Sequence, residues 1–129
     1  MERAGLENWI ERYERLWRTA GTDGLTELFT ADASYRPSPW AEPIRGIEAI
    51  AAFWDEERTG PDEEFALTSE VIAVQGDVGV ARIEVTYEQG QAWRDLWIVR
   101  LDTDGRCTAF EEWPFAPRPR AATPSVVNG

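Results

Sequence analysis

The chain has 129 residues, which is enough for one domain with its own hydrophobic core. A net charge of −11 disfavours binding to nucleic acid or to an anionic membrane surface. The sequence contains no histidine, and all thirteen of its basic residues are arginine. The commonest general base and Schiff-base chemistry are therefore excluded, so any proton transfer must use aspartate, glutamate, tyrosine or water.

The first part of the chain has the apolar spacing of helices. Apolar residues recur at intervals of three and four over residues 6–20, and Gly21 follows them as a stop signal. A second, shorter helix is predicted over residues 25–29. A third begins after Gly46, and its apolar stripe covers residues 47–54. The pattern thus predicts three N-terminal helices.

Alternating patterns replace the helical spacing in the second half of the chain. A short strand is predicted over residues 33–36, followed by a loop over residues 37–43. Four longer alternating runs follow, and short turns separate them, so consecutive strands should pair antiparallel. These runs cover residues 65–75, 78–88, 93–101 and 106–113.

The order of the elements predicts an α+β domain in which three N-terminal helices close a curved antiparallel sheet. A long sheet twists, and its curl leaves a cone with an open end, which is a usual place for a small-molecule site. From Pro114 onwards the chain has four of its eight prolines. We therefore expect a domain over residues 1–117 and a flexible, proline-rich tail over residues 118–129.

Alternation also indicates which strand residues face the helices. In the run at 78–88 the apolar set includes Ile83 and Val85, and in the next run the bulkier set includes Trp93, Asp95 and Trp97. We expect both sets to face inward. In the last run the pattern alone does not decide whether the set with Phe110 and Glu112 or the opposite set faces inward.

Two carboxyl groups are the candidate catalytic groups. Asp95 lies between two tryptophans on the predicted inner face, where lost hydration would raise its pKa. If Glu112 also points inward, the two carboxyls can share a proton and act as acid and base. The alternative is structural, with Asp95 paired to a neighbouring arginine or capping a backbone irregularity.

The candidate ligand-binding residues are mainly aromatic. Tryptophans on the helices are also expected in the core, and Trp40 can equally form a pocket rim, a core lid or a dimer contact. The tyrosines can donate hydrogen bonds to a ligand carbonyl or can simply be buried structural residues. The candidate set comprises Tyr13, Trp17, Tyr35, Trp40, Trp54, Ile83, Val85, Trp93, Trp97 and Phe110.

Other signals limit the compartment and the cofactors. Cys107 is the single cysteine, so an internal disulfide is impossible, and we expect it to be a small apolar residue in a strand. The N-terminal segment is charged and amphipathic, which is unlike a signal peptide or a membrane span. We therefore expect a cytoplasmic protein. No metal-ligand spacing and no glycine-rich phosphate loop is present, so no cofactor is implied.

Three segments resemble a known family. They are LFTADASYRPSPWAEPIRGIEAIAAFW, which starts at Leu28, then WRDLWIVRLDTDGR from Trp93, and FEEWPF from Phe110. They are similar to the nuclear transport factor 2-like superfamily, and within it to the SnoaL-like branch. The resemblance covers about residues 6 to 117 and implies a cone-shaped α+β barrel that frequently dimerises through its outer sheet face.

The resemblance implies several possible chemistries. The superfamily includes ketosteroid isomerases, polyketide cyclases, scytalone dehydratases, limonene epoxide hydrolases and binding domains without catalysis. The isomerase's base matches Pro37 and its oxyanion-binding aspartate matches Trp97, so both positions depart from that enzyme. Scytalone dehydratase and several cyclases use histidine, which this chain lacks.

The epoxide hydrolase and some cyclases suggest different residues. The hydrolase's Arg-x-Asp motif is similar in spacing to Arg82–Ile83–Glu84, although the alternation places Arg82 and Glu84 on the outer face. Glu112 matches the last-strand acid of the hydrolase and of some cyclases. The resemblance therefore favours an inward-facing Glu112.

Together these observations predict a domain that binds a hydrophobic small molecule. It can be a cofactor-independent cyclase, isomerase, dehydratase or epoxide hydrolase that uses Asp95 and Glu112. One alternative is a non-catalytic ligand-binding or dimerisation module. Another is an adaptor that binds a protein partner through its outer sheet face. The resemblance also implies a homodimer through that face.

Overall fold

The computed structural model describes residues 1–58, 64–88 and 90–117, and the predicted tail at 118–129 lies outside them. The helices within these residues are α1 (Arg3–Trp17), α2 (Leu25–Leu28) and α3 (Ile47–Glu57). The strands within them are β1 (Phe29–Arg36), β2 (Ile44–Arg45), β3 (Phe65–Gln75), β4 (Val78–Tyr87), β5 (Ala92–Leu101) and β6 (Cys107–Phe115).

Helix α1 forms because its apolar residues fall on one face, which packs against the rest of the domain. The helix ends at Trp17 rather than at residue 20. The hydroxyl of Thr19 donates a hydrogen bond to the carbonyl of Arg15 (2.7 Å), so a side chain satisfies a carbonyl of the last turn. The buried face consists of Leu6, Trp9, Ile10 and Tyr13.

The strands form one sheet in the order β2-β1-β6-β5-β4-β3. Strands β3 to β6 pair antiparallel with their neighbours, as their short connections predict. Strand β1 runs parallel to β6, so the sheet is mixed rather than wholly antiparallel. Within the described ranges, no hydrogen bonds join the edge strands β2 and β3, and α1 packs beside β3 while α3 packs beside β1 and β2. The predicted α+β class is confirmed.

Strand β1 is longer than predicted. It begins at Phe29, whose extended backbone (φ −125°, ψ 150°) ends α2, whereas the sequence pattern showed a strand only at residues 33–36. Its register with β6 shifts between Phe29 and Ser34, and such an irregularity bends a strand. Strand β2 pairs Ile44 with Tyr35 and is too short to show any alternation in the sequence.

The predicted alternation of β4 and β5 is confirmed. Ile83 on β4 is buried while its neighbours in sequence are exposed, and Asp95 and Trp97 on β5 are buried on either side of the exposed Leu96. Cys107 is also buried, as expected, and burial raises the pKa of its thiol to about 12. The inner face of the sheet therefore has the residues that the sequence placed there.

Aromatic side chains dominate the core. The indole N–H of Trp9 donates a hydrogen bond to the carbonyl of Leu28 (3.0 Å), which satisfies a buried donor. The Trp9 ring meets the Phe29 ring edge-on at 5.7 Å between centroids and lies 5.8 Å from the Phe110 ring. These contacts fix α1 against β1 and β6, so residues further along α1 are held over the same face of the sheet.

The outer face of the sheet is exposed. Leu96 on β5 lies opposite Trp113 on β6, and the two side chains are 37% and 36% exposed. On the neighbouring strands Arg82 forms an ion pair with Glu70 (2.6 Å). Arg82 and Glu84 are both exposed on this face, so the motif that resembles the epoxide hydrolase lies away from the helices.

Candidate functional site

A cavity of about 260 Å³ lies between the helices and the inner face of the sheet. We call it the aromatic cavity. Helices α1 and α3 and strands β1, β3, β4, β5 and β6 all contribute side chains to its wall. The predicted ligand-binding residues on that wall are Tyr13, Trp17, Tyr35, Val85, Trp93 and Trp97. Both candidate catalytic residues, Asp95 and Glu112, also lie on it.

Asp95 is a buried acid with few partners. It is only 5% exposed, and it is held between Trp93 and Trp97 by the alternation of β5. Its Oδ2 accepts a hydrogen bond from the indole N–H of Trp97 over 3.4 Å. Its Oδ1 is buried and accepts no hydrogen bond from the described residues. Nor does any described arginine form an ion pair with it, so the structural alternative through arginine is not seen there.

Glu112 faces the same side of the sheet. It lies opposite Trp97 in the register of β5 and β6, and Asp95 lies opposite Pro114, so the two carboxyls are diagonal neighbours on one face. Burial raises the pKa of Glu112 well above its ordinary value of 4.5. The neighbouring carboxyl of Asp95 raises it further, while the Trp97 indole opposes this effect.

The raised pKa favours the protonated form of Glu112. A protonated Glu112 can donate to Asp95, and this donation relieves the repulsion between two carboxylates in a site with little water. The charge of Glu57, at the end of α3, acts in the same direction on Glu112. The pair can therefore give a proton to a bound molecule and take one back, which is the chemistry of a general acid and base.

A pair of tyrosines forms the polar group on the opposite wall. The hydroxyls of Tyr13 on α1 and Tyr35 on β1 lie 2.7 Å apart, within hydrogen-bonding distance. Burial is the main cause that raises the pKa of both phenols, so both stay protonated in the folded chain. Since two hydroxyls share one hydrogen bond, one O–H remains able to donate to a ligand.

The structure places four predicted binding residues away from the cavity wall. Trp54 is fully buried in the core, where its ring lies 4.9 Å from that of Tyr13. Ile83 and Phe110 are buried in the core as well, so they support the wall from behind. Trp40 is 97% exposed because its proline-flanked loop projects from the domain. The structure thus places these four outside the cavity wall, and their contact with a ligand stays a prediction.

Other wall residues were not predicted. Phe65 and Leu67 on β3 and Tyr87 on β4 line the cavity, and the alternation of their strands was a usable signal for them. Glu57, an exposed residue at the acidic end of α3, also contributes to it. Phe53, Glu14, Pro37 and Pro114 complete the wall, and their positions depend on how α1, α3 and the strand ends meet in three dimensions.

The positions that the resemblance matches to the isomerase's carboxylates both lie at this cavity. Pro37 and Trp97 are on its wall, and neither side chain can accept a proton. The acids of this chain are instead at Asp95 and Glu112. Among the described residues there is no group of three or more histidine, cysteine, aspartate or glutamate side chains that suits a metal ion.

Comparisons with known proteins agree with this architecture. The model of the SnoaL-like domain matches residues 10–110. A crystal structure of a nuclear transport factor 2-like protein of unknown function from Mesorhizobium loti is 19% identical and superposes with a TM-score of 0.66, covering 89% of this chain and 95% of that one. A computationally designed 17-OHP binder is 18% identical with a TM-score of 0.66, covering 81% and 89%.

At these identities the two structures establish the fold alone, and that fold is the α+β cone that the sequence predicted. No curated protein matches the chain significantly. Across the residues that the structure describes, none of the helices has the length and apolar character that a membrane crossing requires. The family model spans most of the chain, and the predicted superfamily is confirmed. The chain belongs to the SnoaL-like domain family of the nuclear transport factor 2-like superfamily.

Proposed function

We propose that the chain binds a hydrophobic small molecule in the aromatic cavity and transforms it by cofactor-independent acid–base catalysis. The observation behind this proposal is the pairing of Asp95 with Glu112 on a wall that is otherwise largely aromatic. Burying two carboxyls side by side is costly unless they share a proton or bind a ligand. Both carboxyls lie on the wall of a cavity, so a functional role accounts for them.

The geometry suggests how a proton would move. A protonated Glu112 can give its proton to an oxygen or carbon atom of the ligand, and the Asp95–Glu112 pair can then take a proton from a second atom of the same molecule. The ligand is thereby isomerised, enolised or dehydrated, and the pair regains its starting state. The free hydroxyl of the Tyr13–Tyr35 pair can donate a hydrogen bond to a carbonyl oxygen as negative charge develops on it.

A second candidate is a binding domain without catalysis. The observation that favours it is the replacement of the isomerase's two carboxylates by Pro37 and Trp97, which leaves bulk at those positions instead of acids. The designed 17-OHP binder of similar fold supports the idea that such a cavity can hold a small molecule without a reaction. Both candidates therefore share the ligand site and differ only in the role of the carboxyls.

A binding screen tests the shared part of the two candidates. Trp17, Trp93 and Trp97 line the cavity, so a bound molecule should change the tryptophan fluorescence. We expect hydrophobic molecules of one to three rings to change it saturably. A Val85→Trp variant, whose larger side chain fills part of the cavity, should respond less. A library that produces no saturable change would contradict the ligand site.

Variants of the carboxyls then separate catalysis from binding. For any ligand that is transformed, Asp95→Asn and Glu112→Gln should reduce kcat by roughly a hundredfold or more, the usual contribution of a general acid or base. Glu84→Gln, which removes a charge from the outer face, is the matched control and should keep full turnover. Unchanged turnover in both cavity variants would leave the binding role as the surviving candidate.

A further inference from the structure

The wall of the aromatic cavity has an unbalanced charge. Four acids, Glu14, Glu57, Asp95 and Glu112, contribute to it, and no described arginine does. One of the four is neutralised locally, since Glu14 forms an ion pair with Arg18 (2.7 Å). The other three have no ion pair among the described residues. The cavity therefore presents an excess of carboxyl groups to whatever enters it.

A second cation close to the wall, Arg58, does not cancel this excess either. Arg58 lies 5.9 Å from the Trp17 ring, but its guanidinium is already engaged. It pairs with Asp55 (3.2 Å) and donates hydrogen bonds to the carbonyls of Thr19 (2.8 Å) and Gly21 (2.9 Å). Its donors hold the end of α3 against the α1–α2 connection, so they are not available to the cavity acids.

The hydrogen bonding of Asp95 independently indicates that the cavity lacks a donor. Its Oδ1 is buried and accepts no hydrogen bond from the described residues, and its Oδ2 receives only the long bond from Trp97. A carboxylate has about four acceptor sites, and a proton on Glu112 can fill one of them. Asp95 is part of the cavity wall, so a ligand with several donors suits its remaining acceptor capacity.

The aromatic residues around these acids suit a positive charge as well. Trp17, Trp93, Tyr35 and Tyr87 present rings to the cavity. The faces of such rings attract cations, most strongly where water is excluded. An ammonium group supplies both the positive charge and up to three N–H donors, whereas a hydroxyl supplies one donor and a carboxylate supplies none.

We propose that the ligand of the aromatic cavity is a hydrophobic amine bound as its ammonium ion, with the nitrogen at Asp95 and Glu112 and the apolar body against the tryptophans. This inference rests on the proposed ligand site and names its substrate class. An anionic ligand is disfavoured because it would meet the unpaired carboxyls of Asp95 and Glu112, with Glu57 also on the wall. A neutral ligand would leave the charge of the carboxyl pair uncompensated.

Three probes of one shape test the inference. They are 1-adamantanemethylamine, 1-adamantanemethanol and 1-adamantanecarboxylate. All three share a rigid apolar body that does not absorb at the excitation or emission wavelengths of tryptophan. We expect the amine to bind roughly ten- to a hundredfold more tightly than the alcohol, as for a hydrogen bond to a charged group. The carboxylate should bind most weakly. Calorimetry and tryptophan fluorescence on the full chain provide the affinities.

Variants locate the preference. Asp95→Asn should bring the amine and the alcohol to within a few-fold of each other, while Glu84→Gln on the outer face should leave the full preference in place. Circular dichroism checks that both variants are folded. An amine preference that survives in both Asp95→Asn and Glu112→Gln would contradict the inference, because it would place the cation elsewhere.

The failures of the two proposals are distinguishable. Saturable binding of all three probes with similar affinity, or a preference for the carboxylate, overturns the amine inference and keeps the ligand site. Absence of binding by all three removes the ligand site as proposed, and the amine inference with it.

Discussion

The two faces of strands β5 and β6 are built from similar residues but have different chemistry. The inner face has Asp95, Trp97 and Glu112, and the outer face has Leu96 and Trp113 at the intervening positions. The inner residues are held under the helices, whereas the outer ones are about one-third exposed. Since neighbours in sequence differ in environment, the face that a residue occupies decides its role more than its type does.

The adjacent glutamates of β6 show this most clearly. Glu111 lies on the outer face and accepts a hydrogen bond from the indole of Trp113 (2.5 Å). Glu112 lies on the cavity wall beside Asp95, where burial and the second carboxyl raise its pKa. The two glutamates are both half-buried, and the difference lies in their neighbours: an indole N–H beside Glu111 and a second carboxyl beside Glu112.

The largest expected effect separates the tryptophans of the two faces. Trp97→Ala should reduce the free energy of unfolding by about 3–5 kcal/mol, as for other buried aromatic truncations. Its ring is 3% exposed and lies 4.6 Å from that of Tyr13 and 5.1 Å from that of Phe110. Trp113→Ala should cost about 1 kcal/mol or less. Urea unfolding measures both values, and equal losses would contradict the assignment of the faces.

The next-largest effect distinguishes Glu112 from Glu111 by the pH dependence of the free energy of unfolding. Below the ordinary pKa of 4.5, Glu112 is protonated in both the folded and the unfolded chain, so its ionisation does not affect the free energy of unfolding. As pH rises through that value, the carboxyl of the unfolded chain loses its proton first. The free energy of unfolding therefore decreases with pH until the folded carboxyl is ionised as well, and it stays reduced above that pH. Glu112→Gln should therefore gain stability relative to the natural chain as pH rises from 4 to 8, by urea unfolding at each pH.

Glu111→Gln is the matched control for that comparison. It removes the same charge from the next position, but it leaves Glu112 and Asp95 in place. We expect its stability to follow the pH dependence of the natural chain. If both variants gain stability equally as pH rises, the effect is due to net charge, and the buried pair is not its source.

The smallest effect is expected at Trp40. Because it is 97% exposed and absent from the cavity wall, Trp40→Ala should change the free energy of unfolding by about 0.5 kcal/mol at most. Affinity for a cavity ligand should also stay the same. A clear loss of affinity, measured with the adamantane probes, would show that the loop with Trp40 covers the bound ligand.

Periodicity was sufficient to predict most of the fold. The alternation of β4 and β5 correctly placed Ile83, Asp95 and Trp97 on the inner face. It failed where local pattern is weak, as at β1, whose first residues read as the end of a helix, and at β2, which has only two residues. The parallel pairing of β1 with β6 joins distant parts of the chain, so no local signal indicated it.

The site was predictable only in part, for a related reason. Alternation distinguishes the inner from the outer face, but it cannot separate a cavity wall from the core behind it. Ile83 and Phe110 face inward and are nevertheless core residues, whereas Val85 faces inward and lies on the wall. The distinction depends on where the helices leave space, which is a property of the packed domain.

The central claim is that Asp95 and Glu112 form one buried carboxyl pair, and an NMR titration tests it most directly. The side-chain carboxyl carbon of Glu112 should titrate well above its ordinary value of 4.5. In Asp95→Asn the midpoint should fall, because the charge of the neighbouring carboxylate is removed. A midpoint at the ordinary value in the natural chain, or one that Asp95→Asn leaves unmoved, would contradict the account.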